Sequence, residues 1–232
     1  MRLMLIDTCG AQGSVAIADT GCAPLLVKKA TLPGRSASER LVAEARGLAA
    51  GSRIALASLD AIAVVNGPGS FTGVRVGLSA AKGLCEALSI PLIAISRLAV
   101  LTFHAKAPQG ERVRAVLDAG RGEFYCGEYL DGLCTGEALM SRDELMELAR
   151  PDMGKHRIAV CEDGVFTALG ELRPQMVDEP DAAAAIPLAV MRGEAGRFDD
   201  VATVDANYLR RTDKEIFVKM QARASAATGS GK

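Results

Sequence analysis

The stretch Asn66-Gly67-Pro68-Gly69-Ser70-Phe71-Thr72-Gly73 has the glycine density of a phosphate-binding loop, so that chemistry is tested first. A Walker A loop needs a lysine, then Ser or Thr, directly after its second glycine, so that the lysine reaches the phosphates. Neither Gly67 nor Gly69 is followed by such a pair at that spacing. The dinucleotide pattern G-x-G-x-x-G also fails, because its third glycine, Gly73, arrives one residue late. Two readings stay open. One is a tight strand-to-helix turn. The other is an anion held by backbone N–H groups at the start of the following helix, with Asp7, Thr8, Gly67, Gly69, Ser70 and Asp118 as candidate nucleotide or anion residues. Asp7 and Asp118 each end a strand-like run at matching places, where a phosphotransferase keeps carboxylates near a metal-bound nucleotide. Asp at a strand-to-turn junction is equally ordinary turn chemistry.

Other reactive sets are absent from the pattern. Ser70 does not lie in G-x-S-x-G, since Pro68 and Thr72 occupy the flanking glycine positions. The two histidines, His104 and His156, share no ligand-spaced motif. The six cysteines (Cys9, Cys22, Cys85, Cys126, Cys134, Cys161) form no C-x-x-C pair and read as reduced thiols. No catalytic residue and no metal site is therefore assigned. Lys+Arg 27 against Asp+Glu 28 gives a net charge of −1, which argues against strong nucleic-acid binding by this chain alone. Trp is absent and aromatics are 4%, so base-stacking platforms are scarce. No run has the length and apolarity of a membrane span, and the chain reads as soluble and cytoplasmic.

The elements that would position these residues follow from periodicity. Strands are expected over Arg2–Ile6, Ser14–Ala18, Leu25–Thr31, Leu59–Val65 and Pro91–Ile95, from their apolar, β-branched character. Ser36 and Glu39 form a capping box opening a helix to about Ala50. From Thr72 to Leu88 the sequence reads as a helix with two rows. Gly73, Gly77, Ala81 and Cys85 make a smooth ridge, with Val76, Ala80, Leu84 and Leu88 beside it. An interior glycine costs a helix about 1 kcal/mol relative to Ala. The ridge therefore suggests close approach by another element, here taken to be a helix of another chain. Thr72, Gly73, Val76, Gly77, Ala80, Ala81, Leu84 and Cys85, with Leu41 and Leu48 of the preceding helix, are the expected partner-binding residues.

The pattern then restarts. A strand over Val113–Leu117 ends at Asp118, passes through Gly120-Arg121-Gly122 and returns as Glu123–Tyr129, as the N-terminal hairpin does around Asp7. Ser141 and Glu144 cap a helix to Ala149, Arg157–Cys161 is a strand, Glu162-Asp163-Gly164 a turn, and Asp181–Arg192 an alanine-rich helix. Arg210-Arg211 reads as a solvated pair ahead of a last helix over Lys214–Gln221. The expected organisation is an N-terminal α/β lobe over 1–106, a smaller C-terminal α/β lobe over 107–221 and a disordered tail over 222–232. The fold class is α/β with mixed sheets, of the two-lobed actin/Hsp70/sugar-kinase (ribonuclease H-like) type.

The segment NGPGSFTGVRVGLSAAKGLCEALSIPLIAISRLAVL resembles the TsaB (YeaZ) family, as do IDTCGAQGSVAIAD, Ser38-Glu39-Arg40-Leu41, LDAGRGE over 117–123 and Tyr208-Leu209-Arg210. The resemblance covers about the first 130 residues well. It implies an accessory, non-catalytic subunit of the complex that transfers threonylcarbamoyl to the adenosine next to the anticodon of tRNAs reading ANN codons. Such a subunit binds and activates a TsaD-like catalytic subunit, is joined by a TsaE-like ATPase, meets tRNA only through the complex, and forms a homodimer when alone. It requires no cofactor of its own, with room for ATP or ADP at the complex interface. The catalytic paralogue carries a metal-binding H-x-x-x-H where this chain reads Ile95–Leu101 without histidine. The family usually has His-Ser-Glu where this chain has Ala37-Ser38-Glu39, so any role of that histidine is absent here. The rival reading is a stand-alone ATP-dependent phosphotransferase or glycoprotease-like hydrolase of the same fold, with Asp7, Asp118 and the Gly67–Gly73 loop around a nucleotide.

Overall fold

A strand, a turn and a returning strand begin each of two five-stranded mixed sheets in the computed structural model, which describes residues 1–23, 25–32, 37–152 and 156–209. The first sheet is built from β1 (Arg2–Asp7), β2 (Gly13–Asp19), β3 (Leu26–Leu32), β4 (Ala61–Val65) and β5 (Leu92–Ile95), in the order β3-β2-β1-β4-β5. β1 is antiparallel to β2 and parallel to β4. It takes the centre because Leu3, Met4, Leu5 and Ile6 are apolar on both faces and all four are buried. β3 takes the edge and shows Lys28 and Lys29 to solvent, a charge pattern that suits an unpaired edge. Around this sheet lie α1 (Ala37–Gly51), α2 (Phe71–Leu88) and the start of α3 (Arg97–His104).

The second sheet repeats the plan. Its strands are β6 (Arg112–Gly120), β7 (Glu123–Leu130), β8 (Leu133–Ser141), β9 (Arg157–Val160) and β10 (Gln175–Met176), in the order β10-β9-β6-β7-β8. β6 pairs antiparallel with β7 and parallel with β9, as β1 does with β2 and β4. Three more α-helices follow among the described residues: α4 (Arg142–Ala149), α5 (Asp163–Ala168) and α6 (Ile186–Glu194). The expected Ser141–Glu144 capping box opens α4. β8 was not expected from the sequence. Its signal is Asp131-Gly132, a two-residue turn with both φ positive (51° and 77°), which is the hairpin chemistry that joins β7 to β8.

The chain divides into two compact units, Met1–Val100 with Pro180–Asn207, and Leu101–Glu179 with the described residues after Asn207. This differs from lobes over 1–106 and 107–221. Residues 180–207 return to the first unit because Ala182, Ala185, Ile186, Leu188 and Ala189 fill its core. The expected helix over Asp181–Arg192 is broken. Asp181 caps a 3-10 turn at Ala182–Ala185, and Pro187, in the first turn of α6, marks the restart. Leu59 and Asp60 precede β4 rather than joining it; the Asp60 carboxylate accepts the Arg2 N–H at 2.6 Å. Glu162-Asp163-Gly164 opens α5 instead of forming a plain turn. The Ser36 cap, Arg210-Arg211, the Lys214–Gln221 helix and the tail over 222–232 lie outside the described residues.

Candidate functional site

α2 carries both of the features the sequence singled out, the glycine loop at its start and the small-residue ridge along its length. Ser70 is its N-cap, accepting the Gly73 N–H at 3.2 Å. That cap satisfies one of the free N–H groups of the first turn. Val74, Gly77, Leu78, Ala81 and Cys85 face inward and are buried.

What the ridge receives is the turn between β1 and β2. The Thr8 hydroxyl donates to the Gly73 carbonyl at 2.6 Å. A Cβ on Gly73 would collide with the Thr8 carbonyl oxygen, and one on Gly77 with the Thr8 hydroxyl oxygen. Gly69 lies over Cys9, where a Cβ would come within 2.5 Å of the carbonyl oxygen. That same oxygen accepts the Ser70 N–H at 2.9 Å. The glycines thus form a saddle filled by the chain's own Thr8–Cys9 turn. This corrects the expectation that Gly73, Gly77, Ala81 and Cys85 face a partner helix. Close approach does explain the glycines, but the approaching element is β1's own turn, 65 residues earlier in the chain.

The loop's chemistry is equally internal. Two N–H groups at the helix start, those of Ser70 and Gly73, are taken by Cys9 and by the cap. The buried Asp7 carboxylate accepts the Cys9 N–H at 2.8 Å, and the Cys9 thiol donates to the Val65 carbonyl at 3.1 Å. Burial pushes that thiol well above its usual pKa, and the Asp7 charge adds to the shift, so Cys9 is held as a neutral thiol. Asp118 belongs to the second unit and closes a local turn there. Its carboxylate accepts the Gly120 N–H at 2.8 Å, and its own N–H donates to Glu162 at 2.7 Å. Within the first unit Asp7, Thr8, Gly67, Gly69 and Ser70 do come together, around the Thr8–Cys9 turn. Among the described residues there is no group of three or more His, Cys, Asp or Glu side chains arranged for a metal ion.

The outer side of α2 is different. Ser38, Leu41 and Val42 of α1 and Arg75, Val76, Ser79 and Ala80 of α2 line an open groove of about 450 Å³. Val42 in this lining is 44% exposed, and Phe71 in the first turn of α2 is 67% exposed. The Arg75 guanidinium lies 3.3 Å from the centre of the Phe71 ring, a cation–π contact that holds the ring on the surface. Of the expected partner-binding residues, Thr72, Val76, Ala80 and Leu84 keep exposed or half-buried positions on this side. Leu41 is almost wholly buried and only edges the groove, and Leu48 belongs to the core. Sequence reasoning missed Phe71, Val42 and Arg75. The available signal for α2 was its inward row, since Phe71 and Arg75 lie off the face of Val74, Gly77, Leu78, Ala81 and Cys85.

Comparison with known proteins adds the lineage. Residues 31–188 match the family model described as TsaD, tRNA N6-adenosine threonylcarbamoyltransferase. The chain is 28% identical to the tRNA threonylcarbamoyladenosine biosynthesis protein TsaB of Escherichia coli K12, over 90% of this chain and 95% of that protein. The solved structure of YeaZ from Pseudomonas aeruginosa is 30% identical and superposes with a TM-score of 0.72, covering 90% of this chain and 99% of the other. A second Pseudomonas aeruginosa structure, of an uncharacterized protein described as similar to the peptidase YEAZ, is 29% identical with a TM-score of 0.75 and the same coverage. The two mixed sheets agree with these neighbours, and the fold is the actin-like α/β type. No described helix is long and apolar enough to cross a membrane. The chain belongs to the TsaB/YeaZ family, within the wider family described by TsaD.

Proposed function

We propose that this chain is the non-catalytic docking subunit of a complex that attaches threonylcarbamoyl to the adenosine beside the anticodon of tRNAs reading ANN codons. It acts by binding and activating a TsaD-like catalytic subunit through the outer side of α1 and α2, with a TsaE-like ATPase joining the assembly. tRNA is met only within the complex, ATP or ADP only at a subunit interface, and the free chain pairs with itself through the same helices. The setting is the cytoplasm.

The observation that carries this reading is the contrast between the two sides of α2. Its loop side is packed by the chain's own Thr8 and Cys9. Its outer side leaves an apolar groove with Phe71 and Val42 exposed. Large aromatic residues at the centre of such a face supply much of the affinity of protein interfaces. The match of residues 31–188 to the TsaD family also supports a related partner, since two related chains carry equivalent helix pairs that can face each other across an approximate two-fold axis.

Light scattering on this chain mixed with the TsaD-like protein of the same cell tests the proposal. One heterodimer is expected, with Phe71→Ala or Val42→Arg weakening the Kd at least tenfold while the circular dichroism of the free chain is unchanged. Separate elution of the two proteins, together with Mg-ATP turnover by this chain alone, would instead support the phosphotransferase or hydrolase reading.

A further inference from the structure

β5 stands at the edge of the first sheet, and the chain that returns from the second unit covers it. The Asp199 N–H donates to the Leu92 carbonyl at 2.8 Å, and the Asp199 carboxylate accepts the Ala94 N–H at 2.7 Å. Arg192 donates to the Ala94 carbonyl at 2.5 Å and to the Asp199 carboxylate at 2.9 Å. An ion pair thus stands where a sixth strand would begin. From this clamp a strap, Asp199–Asn207, passes along α2. The Ala202 N–H and the Thr203 hydroxyl hold the Asp200 carboxyl below its usual pKa, and the Lys82 ammonium of α2 adds to this. Val201 and Val204 pack against the first core, and Ala206 is buried in it.

The strap ends on the glycine loop. Asn207 donates its N–H to the Asn66 carbonyl at 2.8 Å, and the Asn66 side-chain amide donates to the Asp205 carbonyl at 3.1 Å. A Cβ placed on Gly67 would touch Val74 at 3.4 Å and the Asn207 carbonyl at 3.5 Å, so loop, helix and strap meet there. Between β4 and α2 the backbone has Gly67 at φ 105° and a second glycine at position 69, and glycine alone leaves such a connection many conformations. Four separate segments restrict it. β5 holds the Asn66 N–H through the Ile95 carbonyl at 3.0 Å, the strap holds the Asn66 carbonyl and side chain, the Arg97 N–H holds the Gly67 carbonyl at 2.7 Å, and Cys9 holds Ser70.

We infer that the strap Asp199–Asn207 is the positioning element of the docking helix, with Asn66 as its latch. By fixing where the chain leaves β4, the latch fixes the first turn of α2 and so the placement of Phe71 and Arg75 before any partner arrives. Such pre-organisation raises affinity without adding a contact. The inference rests on the docking reading for its consequence, but the latch itself can be read without a partner.

Asn66→Asp keeps the side-chain size and replaces the amide donor facing the Asp205 carbonyl with oxygen. In hydrogen exchange on the isolated chain, amides over 66–74 should exchange about tenfold faster, with those of β1 unchanged. Asp199→Asn, at the far end of the strap and touching neither loop nor α2, should give the same pattern and serves if Asn66→Asp does not fold. Against the TsaD-like subunit, Asn66→Asp should weaken the Kd about tenfold alone and not further in a Phe71→Ala background, the non-additivity of residues acting through one another. A purely structural role would lower stability without this coupling. Unchanged exchange over 66–74, or additive effects in the cycle, overturns the inference. If the unaltered chain binds no TsaD-like subunit, the docking reading falls by itself, and the exchange measurement still decides the latch.

Discussion

At Gly77 a side chain has nowhere to go: the Thr8 hydroxyl lies where its Cβ would be, and Ile6 stands 3.6 Å away. The sequence identified this glycine as a site of close approach, which it is, and assigned the approach to a partner, which it is not. Spacing reveals that one face of a helix is smooth. It does not reveal whether that face meets the chain's own sheet or another molecule, because both demand the same absence of side chains. The consequence for mutation is inverted. Gly77→Leu should destabilise the fold itself, by about 1–3 kcal/mol or more, as overpacking against the Thr8 and Ile6 side chains does. Urea midpoints of the free chain check this. A Gly77→Leu protein of unchanged stability that has lost only its partner would restore the original assignment. Phe71 shows the converse. It reads as one more apolar residue in the sequence, yet with Val74, Gly77, Leu78, Ala81 and Cys85 packed inward it stands 67% exposed.

Among elements, the β6–β7 hairpin holds a feature that periodicity hides. Glu128 is fully buried on β7, directly opposite Arg114 in the strand register. Its carboxylate bonds Arg114 at 2.8 Å and Arg112 at 2.8 Å. An alternating strand with Arg and Glu on one face reads as solvent-facing, yet α4 and the second sheet enclose the core beneath that face, with Val116 and Cys126 as its neighbours in register. Removing one member leaves a buried charge uncompensated, which costs about 3–5 kcal/mol. Glu128→Ala should therefore lose about that much in chemical denaturation. Glu128→Met combined with Arg114→Leu and Arg112→Met should recover most of it, since apolar replacement of a whole buried triad is close to neutral. A single variant at wild-type stability would show that the pair is solvated in solution. Other elements were legible in advance. The strands of the first sheet, α2 and the α4 capping box all follow from local apolar runs and cap residues. β8 was lost because its alternation is weak and its hairpin signal, Asp131-Gly132, went unused.

For the whole molecule, the first unit is built from two stretches of chain, Met1–Val100 and Pro180–Asn207, separated in sequence by Leu101–Glu179 of the second. The first core closes only when Ile186, Leu188 and Ala189 arrive from the returning segment, and the Ala182 N–H reaches the Ser14 hydroxyl at 2.9 Å across 168 residues of chain. A fragment of residues 1–106, the lobe that the sequence suggested, should therefore show no cooperative thermal unfolding, whereas residues 1–209 should. Cooperative melting of the shorter fragment would mean that the returning segment is dispensable. The repeated order of events around Asp7 and Asp118 was visible in the sequence, and the two sheets share that plan strand for strand. The sequence by itself determined the strands of the first sheet, the course of α2, the capping box of α4 and the family. These depend on residues close together in the chain, whose spacing alone carries the physics. Only the tertiary structure decided that Thr8 fills the glycine saddle, that Phe71 and Val42 remain outside, and that the strap returns to hold Asn66. Those outcomes join residues far apart in sequence, and their energetics arise from packing in three dimensions.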